Sequence, residues 1–343
     1  MRVDMATFKI YKLHFTAPLH ISDQHEDMGS SQKTIHSDTL YAALVSCLAK
    51  MGQDIPEDGD LGFTVSSLFP YFQKDKDSAP VYFLPIPMQA KQAELADASM
   101  AKKVKKVQWV DSALYASVLA GDALFNGKAP CLSYIQESYL TATNLPEDAN
   151  GSREFVRSEV SQRVTIESRT GEADAMPYYV DKILFRHHSG FYFMAEGDTQ
   201  LLDKALSMLA KEGIGTDRNV GFGFFDFVTD TITIDLPHNA NHQLSLSLFI
   251  PESQEQLTAL MSSEHVAYDF VRRGGWITTY PYMTLRKNAI YGFLPGSVFS
   301  KNPDTGCSAK GKMVDLKPET SEVDIAHHVW RNGKAIMLPI NLK

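Results

Sequence analysis

The sequence predicts an α+β fold of two domains, and three observations lead to this prediction. The chain has 343 residues, enough for about two domains that each bury a core of their own. Segments in which apolar and polar residues alternate, as in strands, are interspersed with segments that repeat apolar residues at helical spacing. Hydrophobic residues make up 44% of the chain and charged residues 22%, which is close to the average globular protein and excludes a disordered chain or a membrane bundle.

The first domain is expected over residues 1–235, where strands and helices follow one another in a recognisable order. These elements are a strand at 8–15, a helix over 40–51, two strands at 183–185 and 190–195 that we expect to pair as a hairpin, a helix over 201–211 and a strand at 224–228. Ser37 or Asp38 is expected to cap the first helix. The order strand, helix, strand pair, helix, strand is that of a ferredoxin-like unit.

A long insertion is expected inside this first domain, from about residue 80 to 181. Its patterns are weak, because Pro85 and Pro87 interrupt them, and four lysines crowd positions 102–106. Such a lysine cluster is by itself more typical of a solvated face than of a site. Six basic residues between 153 and 186 are balanced by six acidic ones, which is typical of a salt-bridged surface.

The second domain is expected over residues 242–343, after a linker-like segment at 235–241. Leu244, Leu246 and Leu248 alternate with serines as a strand, and the apolar segment 335–340 predicts another. Few other elements are clear in this half. We therefore expect a degenerate, β-rich version of the first domain.

The most distinctive local feature is a segment with glycines at positions 213, 215, 221 and 223. It follows a helix and precedes a strand, whereas nucleotide-binding glycine loops lead into a helix N-terminus that holds the phosphate. The segment instead suits a loop that approaches a ligand closely, with Arg218 to bind a phosphate and Phe222 to offer a stacking face. The simpler alternative is a glycine C-cap followed by a tight turn. Asp217, next to Arg218, could order the arginine or weaken its contact with RNA.

The glycine loop and the segment 35–40 (IHSDTL) together resemble the RAMP superfamily of CRISPR proteins. Further similarity lies in segments 163–171, 272–276, 294–297 and 330–335. With these, the chain is most similar to the fourth subunit of the Csm family, a component of type III-A effector complexes. The similarity extends from about residue 8 to the end of the chain.

The resemblance implies two RRM-like (ferredoxin-like) RAMP domains that bind the 5′ handle of the CRISPR RNA. The implied protein partners are the large polymerase-palm subunit and a backbone RAMP subunit, and no catalytic role, cofactor, metal or membrane contact is implied. The residues expected to bind RNA are His36, Ser37, Arg163, Arg169, Gly213, Gly215, Arg218, Asn219, Gly221, Phe222, Arg272, Arg273, Trp276, Arg286, Lys287 and Arg331.

The distribution of charge is consistent with a local RNA site. The chain carries a net charge of −8, but residues 272–312 contain seven basic residues and one acidic residue, a net +6, which leaves −14 for the rest. Aromatic residues interleave with these basic residues, as expected where phosphates are paired and bases are stacked, although the same rings could form a core. Such a distribution disfavours a promiscuous RNA binder and leaves acidic faces for protein partners.

Two other functions remain open at this stage. His36 could act as general acid or base in a metal-independent RAMP endoribonuclease that processes precursor CRISPR RNA. In such nucleases the glycine loop lies close to the carboxyl terminus, whereas about 120 residues follow it here. The other alternative is an unrelated β-rich ligand-binding or assembly protein.

The cysteines and the amino terminus point to a cytoplasmic protein. Cys47, Cys131 and Cys307 are far apart, which argues against a disulfide framework or a zinc knuckle. The amino terminus runs into a strand-like segment without a long apolar stretch, so no signal peptide or transmembrane helix is expected. The adjacent histidines at 187–188 and 327–328 would point to opposite faces of a strand, so that neither pair predicts a metal site.

Overall fold

The computed structural model describes residues 3–22, 29–89, 98–122, 135–165, 176–301, 308–319 and 324–342. It has the mixed α+β content that the sequence predicts. The helices are α1 (Ser37–Lys50), α2 (Ala98–Lys106), α3 (Ser112–Leu119), α4 (Gln200–Glu212) and α5 (Gln254–Leu260). The strands are β1 (Val3–Phe15), β2 (Phe63–Val65), β3 (Phe69–Phe72), β4 (Val81–Pro85), β5 (Trp109–Asp111), β6 (Ile135–Gln136), β7 (Tyr139–Leu140), β8 (Val156–Thr165), β9 (Met176–Phe185), β10 (Gly190–Gly197), β11 (Phe225–Pro237), β12 (His242–Ser245), β13 (Phe270–Arg273), β14 (Ile290–Phe293), β15 (Val298–Ser300), β16 (Met313–Asp315), β17 (Trp330–Asn332) and β18 (Met337–Ile340).

The largest sheet runs in the order β11-β1-β10-β3-β4-β5-β7-β6, with β2 also paired to β10. Strands β2 and β3 pair with successive parts of β10, so they act as one strand interrupted at residues 66–68. Helix α4 lies over the face of β1 that carries Tyr11, whose hydroxyl donates a hydrogen bond to Asp203, and α1 packs against α4. Within the expected insertion, β4 to β7 extend this sheet, whereas β8 and β9 form a separate two-stranded sheet.

The predicted hairpin between residues 183–185 and 190–195 is wrong. Strand β9 pairs along its whole length with β8, as a separate two-stranded hairpin, and β10 lies between β1 and the β2–β3 strand. All residues from Gly190 to Ala195 are buried, and β10 has a hydrogen-bonded strand on each edge, so it is a central strand of the sheet. Proximity in the sequence suggested the wrong pairing.

The predicted linker at 235–241 is also shorter in the structure. Strand β11 continues to Pro237, and Asp235 pairs with Met5 near the start of β1. Because β1 begins at Val3, it offers partners along all thirteen residues of β11. The connection between the two halves is therefore residues 238–241.

The carboxyl-terminal half contributes to the same hydrophobic core as the amino-terminal half. Strand β12 lies between β15 and β18, and Leu244, Leu246 and Leu338 belong to the apolar cluster that also contains Leu13 and Leu44. Two smaller clusters are confined to the carboxyl-terminal half. The two halves are thus joined through continuous apolar packing.

Buried serines add hydrogen bonds across this junction. The Ser37 hydroxyl accepts a hydrogen bond from the Leu248 amide at 2.9 Å, and the Ser247 hydroxyl donates one to the Val65 carbonyl at 2.8 Å. Ser37 and Ser247 are both fully buried. Ser247, one of the serines that alternate with leucines, therefore satisfies a backbone carbonyl of the other half, whereas the Ser245 hydroxyl donates to the Ser247 carbonyl within its own half.

Leu246→Ala tests whether the halves share one core. Leu246 is fully buried in the shared cluster, so its truncation should lower the free energy of unfolding by about 2–5 kcal/mol while unfolding remains one transition. Val228→Ala is the control, because Val228 is 57% exposed and should tolerate truncation. Calorimetry measures both, and a Leu246→Ala protein in which one half melts separately would contradict the shared core.

Candidate RNA-binding surface

The glycine segment forms a closed loop between α4 and β11. The Ile214 amide donates to the Gly223 carbonyl at 3.0 Å, which closes the base of the loop. Gly223 has a φ of +77°, and a Cβ built on it would lie 2.0 Å from the Ile214 carbonyl oxygen. Gly221 also has a positive φ, +94°, but open space surrounds its Cβ position. Gly223 is thus required by close backbone approach as well as by its conformation.

Arg163 of β8 reaches this loop. Its guanidinium pairs with Asp217 at 3.0 Å and lies 5.0 Å from the centre of the Phe222 ring. Asp217 therefore orders Arg163 and not its neighbour Arg218. The arrangement combines a charge-assisted hydrogen bond with a cation–π contact, so it fixes the hairpin of β8 and β9 against the loop.

Phe222 does not offer the stacking face that the sequence predicts. It is 8% exposed, and Arg163 lies over its ring. The part of the loop that does reach the surface is the 3-10 turn Arg218–Val220, whose three residues are all exposed. The side chain of Arg218 has no hydrogen bond or ion pair with another described residue, so its guanidinium can donate hydrogen bonds to an external phosphate.

The start of α1 is buried rather than presented to a ligand. The N-cap residue of α1 is His36, and its side chain makes no capping hydrogen bond. The expectation that Ser37 or Asp38 caps the helix is therefore wrong, because both residues lie inside its first turn. His36 is 7% exposed and Ser37 is fully buried at the junction between the halves. This burial favours a structural role for both residues and argues against His36 as a catalytic group on RNA.

Asp38 holds two of the arginines that the sequence assigns to RNA. Its carboxylate accepts hydrogen bonds from Arg273 at 2.8 and 3.1 Å and from Arg331 at 2.7 Å, and its side chain is fully buried. Arg273 also donates to the Thr39 hydroxyl. We call Asp38, Arg273 and Arg331 the junction cluster, because they connect the first turn of α1 to β13 and β17. These contacts give Arg273 and Arg331 a structural role, and RNA binding by either residue stays a prediction.

The electrostatics of the junction cluster favour the charged forms of its members. Burial opposes ionisation of Asp38, but Arg273 and Arg331 together hold the pKa of its carboxyl well below the usual range. The pKa of the Lys287 ammonium group is lowered to about 8, chiefly by burial, with smaller contributions from Arg331 and Arg273, which lower it, and from Asp38, which raises it.

Alternation along the ribbon of β13 and β14 explains why neighbouring basic residues differ. Successive side chains of a strand point to opposite faces. Arg272 is exposed while Arg273 turns inward to Asp38. Arg286 and Lys287 come before β14 and lie outside both strands, where Arg286 is exposed, 4.8 Å from the centre of the Trp276 ring, and Lys287 is half-buried.

The outer face of this ribbon is basic and aromatic. Arg272 lies opposite Tyr291 in the register, and Phe270 contacts Tyr291 edge to face at 5.6 Å. Phe270 is 54% exposed and Tyr291 is 60% exposed. We call Phe270, Arg272 and Tyr291 the ribbon face. Phe270 was not among the predicted site residues, although its spacing of two positions from Arg272 in a strand was a usable signal.

The remaining predicted site residues are distributed as follows. Asn219 is exposed on the loop turn, and Gly213 and Gly215 lie at the base of the loop, where Gly213 ends α4. Trp276 is half-buried beneath Arg286. Arg169 lies outside the described residues.

The basic residues of the other described segments are either paired with acidic residues or exposed to solvent. The described basic residues between 153 and 186 all have acidic partners, which fits a salt-bridged surface: Arg153 with Glu147, Arg157 and Arg186 with Asp148, Arg163 with Asp217, and Lys182 with Glu159. The four lysines of α2 are exposed around the buried Val104.

Within the described ranges, no group of three or more His, Cys, Asp or Glu side chains could hold a metal ion. Among the same residues, no helix is both long and apolar enough to span a bilayer. Cys47 is buried with a free thiol.

One family model and several known proteins are similar to this chain. Residues 238–340 match a family model described as the CRISPR Csm4 C-terminal domain. The chain is 29% identical over 292 residues to the "CRISPR system Cms protein Csm4" of Mycobacterium tuberculosis, covering 80% of this chain and 84% of that protein. It is 24% identical over 346 residues to the protein of the same name from Streptococcus thermophilus, covering 98% and 100%.

Solved structures agree with these relatives at the level of the fold. One similar chain comes from the crystal structure of the Csm3-Csm4 subcomplex in the type III-A CRISPR-Cas interference complex, with a TM-score of 0.59, 18% identity and coverage of 98% of this chain and 100% of that one. Another comes from the Csm1-Csm4 cassette in complex with cA4, with a TM-score of 0.59, 18% identity and coverage of 98% and 99%.

Gly223→Ala and Gly221→Ala separate conformational strain from close approach in the loop. Both replace a glycine at positive φ, which should lower the free energy of unfolding by about 1–2 kcal/mol. Only Gly223→Ala adds a backbone clash, so it should be clearly the more destabilising of the two in urea unfolding. Equal effects would contradict the closed geometry at Ile214 and Gly223.

Asp38→Asn should be strongly destabilising, because it leaves Arg273 and Arg331 buried without a compensating charge. We expect a loss of about 3–5 kcal/mol in the free energy of unfolding. Glu212→Gln is the matched control, since its pair with Lys50 at 2.6 Å lies at the surface and should contribute less than about 1 kcal/mol. A loss for Asp38→Asn no larger than the control would refute the structural role of the cluster.

Proposed function

The chain is a Csm4-like RAMP protein, and we propose that it is the subunit of a type III-A CRISPR effector complex that binds the 5′ handle of the CRISPR RNA. In this role it joins the large polymerase-palm subunit to a backbone RAMP subunit and has no catalytic activity of its own. The complex acts in the cytoplasm in defence against viruses and plasmids.

The observation that carries the RNA-binding proposal is the ribbon face. Two large aromatic side chains, Phe270 and Tyr291, are more than half exposed beside Arg272. Exposed rings on adjacent strands can stack on bases, and a guanidinium between them can pair with a phosphate. Arg286, exposed further along the same ribbon, extends the row of positive charge.

The glycine loop supports the same proposal from the amino-terminal half. Arg218 and Asn219 are exposed on a turn that Arg163 and Phe222 hold in place from beneath. The turn presents a cation and an amide to solvent, and both can bind a phosphate or a base edge. Arg163 acts here as a positioning residue.

The strand order supports a ferredoxin-like RAMP domain in the amino-terminal half. With β2 and β3 counted as one strand, the chain visits β1, α1, β2–β3, β10, α4 and β11, and the sheet order is β11-β1-β10-β3. This is a β-α-β-β-α-β unit with an insertion between its second and third strands. We extend the RAMP assignment to the second half because of its match to the Csm4 carboxyl-terminal family.

The proposed partners follow from the assemblies in which similar chains occur. The two similar structures are named as a Csm1-Csm4 cassette and a Csm3-Csm4 subcomplex. We propose the corresponding partners for this chain, with its acidic remainder facing them. The burial of His36 supports the absence of a nuclease role, because RNA cannot reach the imidazole in this conformation.

Arg272→Ala combined with Arg286→Ala tests the RNA site. The purified protein, alone and with its large-subunit partner, should bind CRISPR RNA more tightly than the same RNA with a scrambled handle. The double variant should bind more weakly and should show a smaller salt dependence, by about 0.7 in the slope of log K against log salt for each phosphate that is no longer bound. Fluorescence anisotropy at several salt concentrations measures both quantities.

Lys204→Ala serves as the control for this experiment, because Lys204 is an exposed lysine on α4, away from the ribbon. It should leave the affinity and the salt slope unchanged. A wild-type protein that does not distinguish the intact handle from the scrambled one, with or without its partner, would refute handle binding. A double variant that binds like the wild type would refute the ribbon site.

A further inference from the structure

Strand β11 forms one edge of the largest sheet, and its first part has an open outer side. It pairs with β1 along all thirteen residues and stands at the end of the strand order. Ile232 and Ile234 in its later part are buried, whereas residues 226 and 228–231 are exposed. Among the described residues, no main-chain hydrogen bond joins residues 226–237 to a segment other than β1. We call residues 225–231 the open edge.

The register of β1 and β11 shows which main-chain groups of the open edge point outward. The Thr16 amide donates to the Phe224 carbonyl at 3.0 Å, so these two residues form a hydrogen-bonded pair. In an antiparallel ladder such pairs alternate with pairs whose amides and carbonyls point away from each other. The even-numbered residues of β11 therefore bond to β1, and the odd-numbered ones present their main-chain groups outward. The Thr231 amide agrees with this, because it donates to the Asp230 carboxylate at 2.8 Å.

The face of the open edge on the side of α4 is bordered by a cleft. Phe227 contacts Tyr11, which bonds to α4, so the odd-numbered side chains of β11 lie on this side. The cleft has a volume of about 600 Å³, and its lining includes Ser207 and Ala210 of α4 together with Phe227. A strand added to the open edge would place alternate side chains over this cleft, where uncharged ones fit the lining.

The opposite face of the open edge is acidic. Asp226, Val228 and Asp230 follow one another there at alternate positions, and Val228 is 57% exposed. Asp226 is exposed and has no ion pair with another described residue. Asp230 lies 3.6 Å from the Lys12 ammonium and accepts a hydrogen bond from Tyr82, yet its side chain remains 42% exposed. Basic side chains on an added strand would therefore meet two carboxylates on this face.

These charges argue against a second copy of this chain at the open edge. Antiparallel pairing of two open edges about Val228 puts Asp226 of each copy opposite Asp230 of the other. Like charges directly opposite each other destabilise a pair of strands. A strand from another protein, with basic side chains at alternate positions, avoids this repulsion and is attracted to both carboxylates.

The place of the open edge in the chain favours a partner that lies close to RNA. The open edge begins two residues after Gly223, at the end of the glycine loop whose Arg218 and Asn219 are proposed to bind RNA. A basic segment is compatible with phosphates nearby, whereas an acidic one is repelled by them. Of the two proposed protein partners, the backbone RAMP subunit belongs to the superfamily of RNA-binding proteins that this chain resembles.

We propose that the open edge of β11 binds an extended segment of the backbone RAMP subunit by strand addition, with basic side chains opposite Asp226 and Asp230 and uncharged side chains over the cleft. Main-chain hydrogen bonds at Phe227 and Thr229 hold this strand, and the contrast between the two faces selects its sequence. The inference rests on the proposed function, in which the chain contacts a backbone RAMP subunit, and it names the surface of that contact.

Thr229→Pro tests strand addition, because proline removes an outward amide without removing a hydrogen bond to β1. The full-length variant should bind CRISPR RNA like the wild type. It should bind the purified backbone RAMP subunit at least about tenfold more weakly, since one main-chain hydrogen bond is lost and the ring hinders the approach of the added strand. Biolayer interferometry measures the affinity. In the wild-type pair, hydrogen exchange at the Phe227 and Thr229 amides should slow, which a contact through side chains alone would not produce.

Asp226→Lys tests the charge and leaves the main chain intact, so that it also decides the matter if Thr229→Pro does not fold. It should weaken binding of the backbone subunit and reduce the salt dependence of that binding, because a lysine there repels a basic strand. Glu264→Lys is the matched control, since it makes the same change of charge at an exposed carboxylate in the carboxyl-terminal half. It should leave the affinity for the backbone subunit unchanged.

Three results overturn the inference. The first is a folded Thr229→Pro or Asp226→Lys protein that binds the backbone subunit like the wild type. The second is a loss of affinity for the large subunit instead. The third is a wild-type dimer in analytical ultracentrifugation that Thr229→Pro abolishes, because the occupant is then a second copy. A wild type that binds neither protein partner overturns the proposed function as well, and this is seen before any variant is compared.

Discussion

The ion cluster at Asp38 determines how the two halves of this protein fit together. A fully buried carboxylate at the first turn of α1 binds one arginine from β13 and another from β17. An unpaired charge at this depth costs folding free energy. The amino-terminal half can therefore bury Asp38, and the carboxyl-terminal half Arg273 and Arg331, only when the two halves bring these side chains together. The serines and leucines that pack around the junction add area and hydrogen bonds, but the charges restrict the halves to one arrangement.

The same cluster explains why the sequence could not predict the environment of every residue assigned to RNA. The basic pairs at 272–273 and 286–287 look alike in the sequence, and both were assigned to RNA as whole pairs. In each pair the first member is exposed and the second is more buried. Strand alternation explains this for Arg272 and Arg273 in β13, whereas residues 286–287 lie outside the strands, and neither arrangement could be known from composition. Arg331 carried no local sign of burial, because its partner Asp38 is 293 positions away.

The fold was predictable where local pattern decides structure and not where distant partners do. The periodicity of residues 40–51 and 201–211 correctly predicted α1 and α4, and the alternation at 8–15 predicted β1. Strand β9 pairs with β8, and β10 pairs with β1. Local patterns do not reveal these partners, so the two adjacent apolar segments were paired wrongly. In the glycine loop, the role of Asp217 depended on Arg163, 54 positions earlier.

Helix α1 connects the two surfaces proposed to bind RNA. Its first turn holds Arg273 of the ribbon through Asp38, and its last residue, Lys50, pairs with Glu212 directly before the glycine loop. Fourteen residues of helix span about 20 Å, so this rigid element sets the separation between the two surfaces. We therefore expect a change at Asp38 to alter the geometry of both proposed RNA-binding surfaces, so that the junction cluster contributes to the proposed binding as well as to the fold.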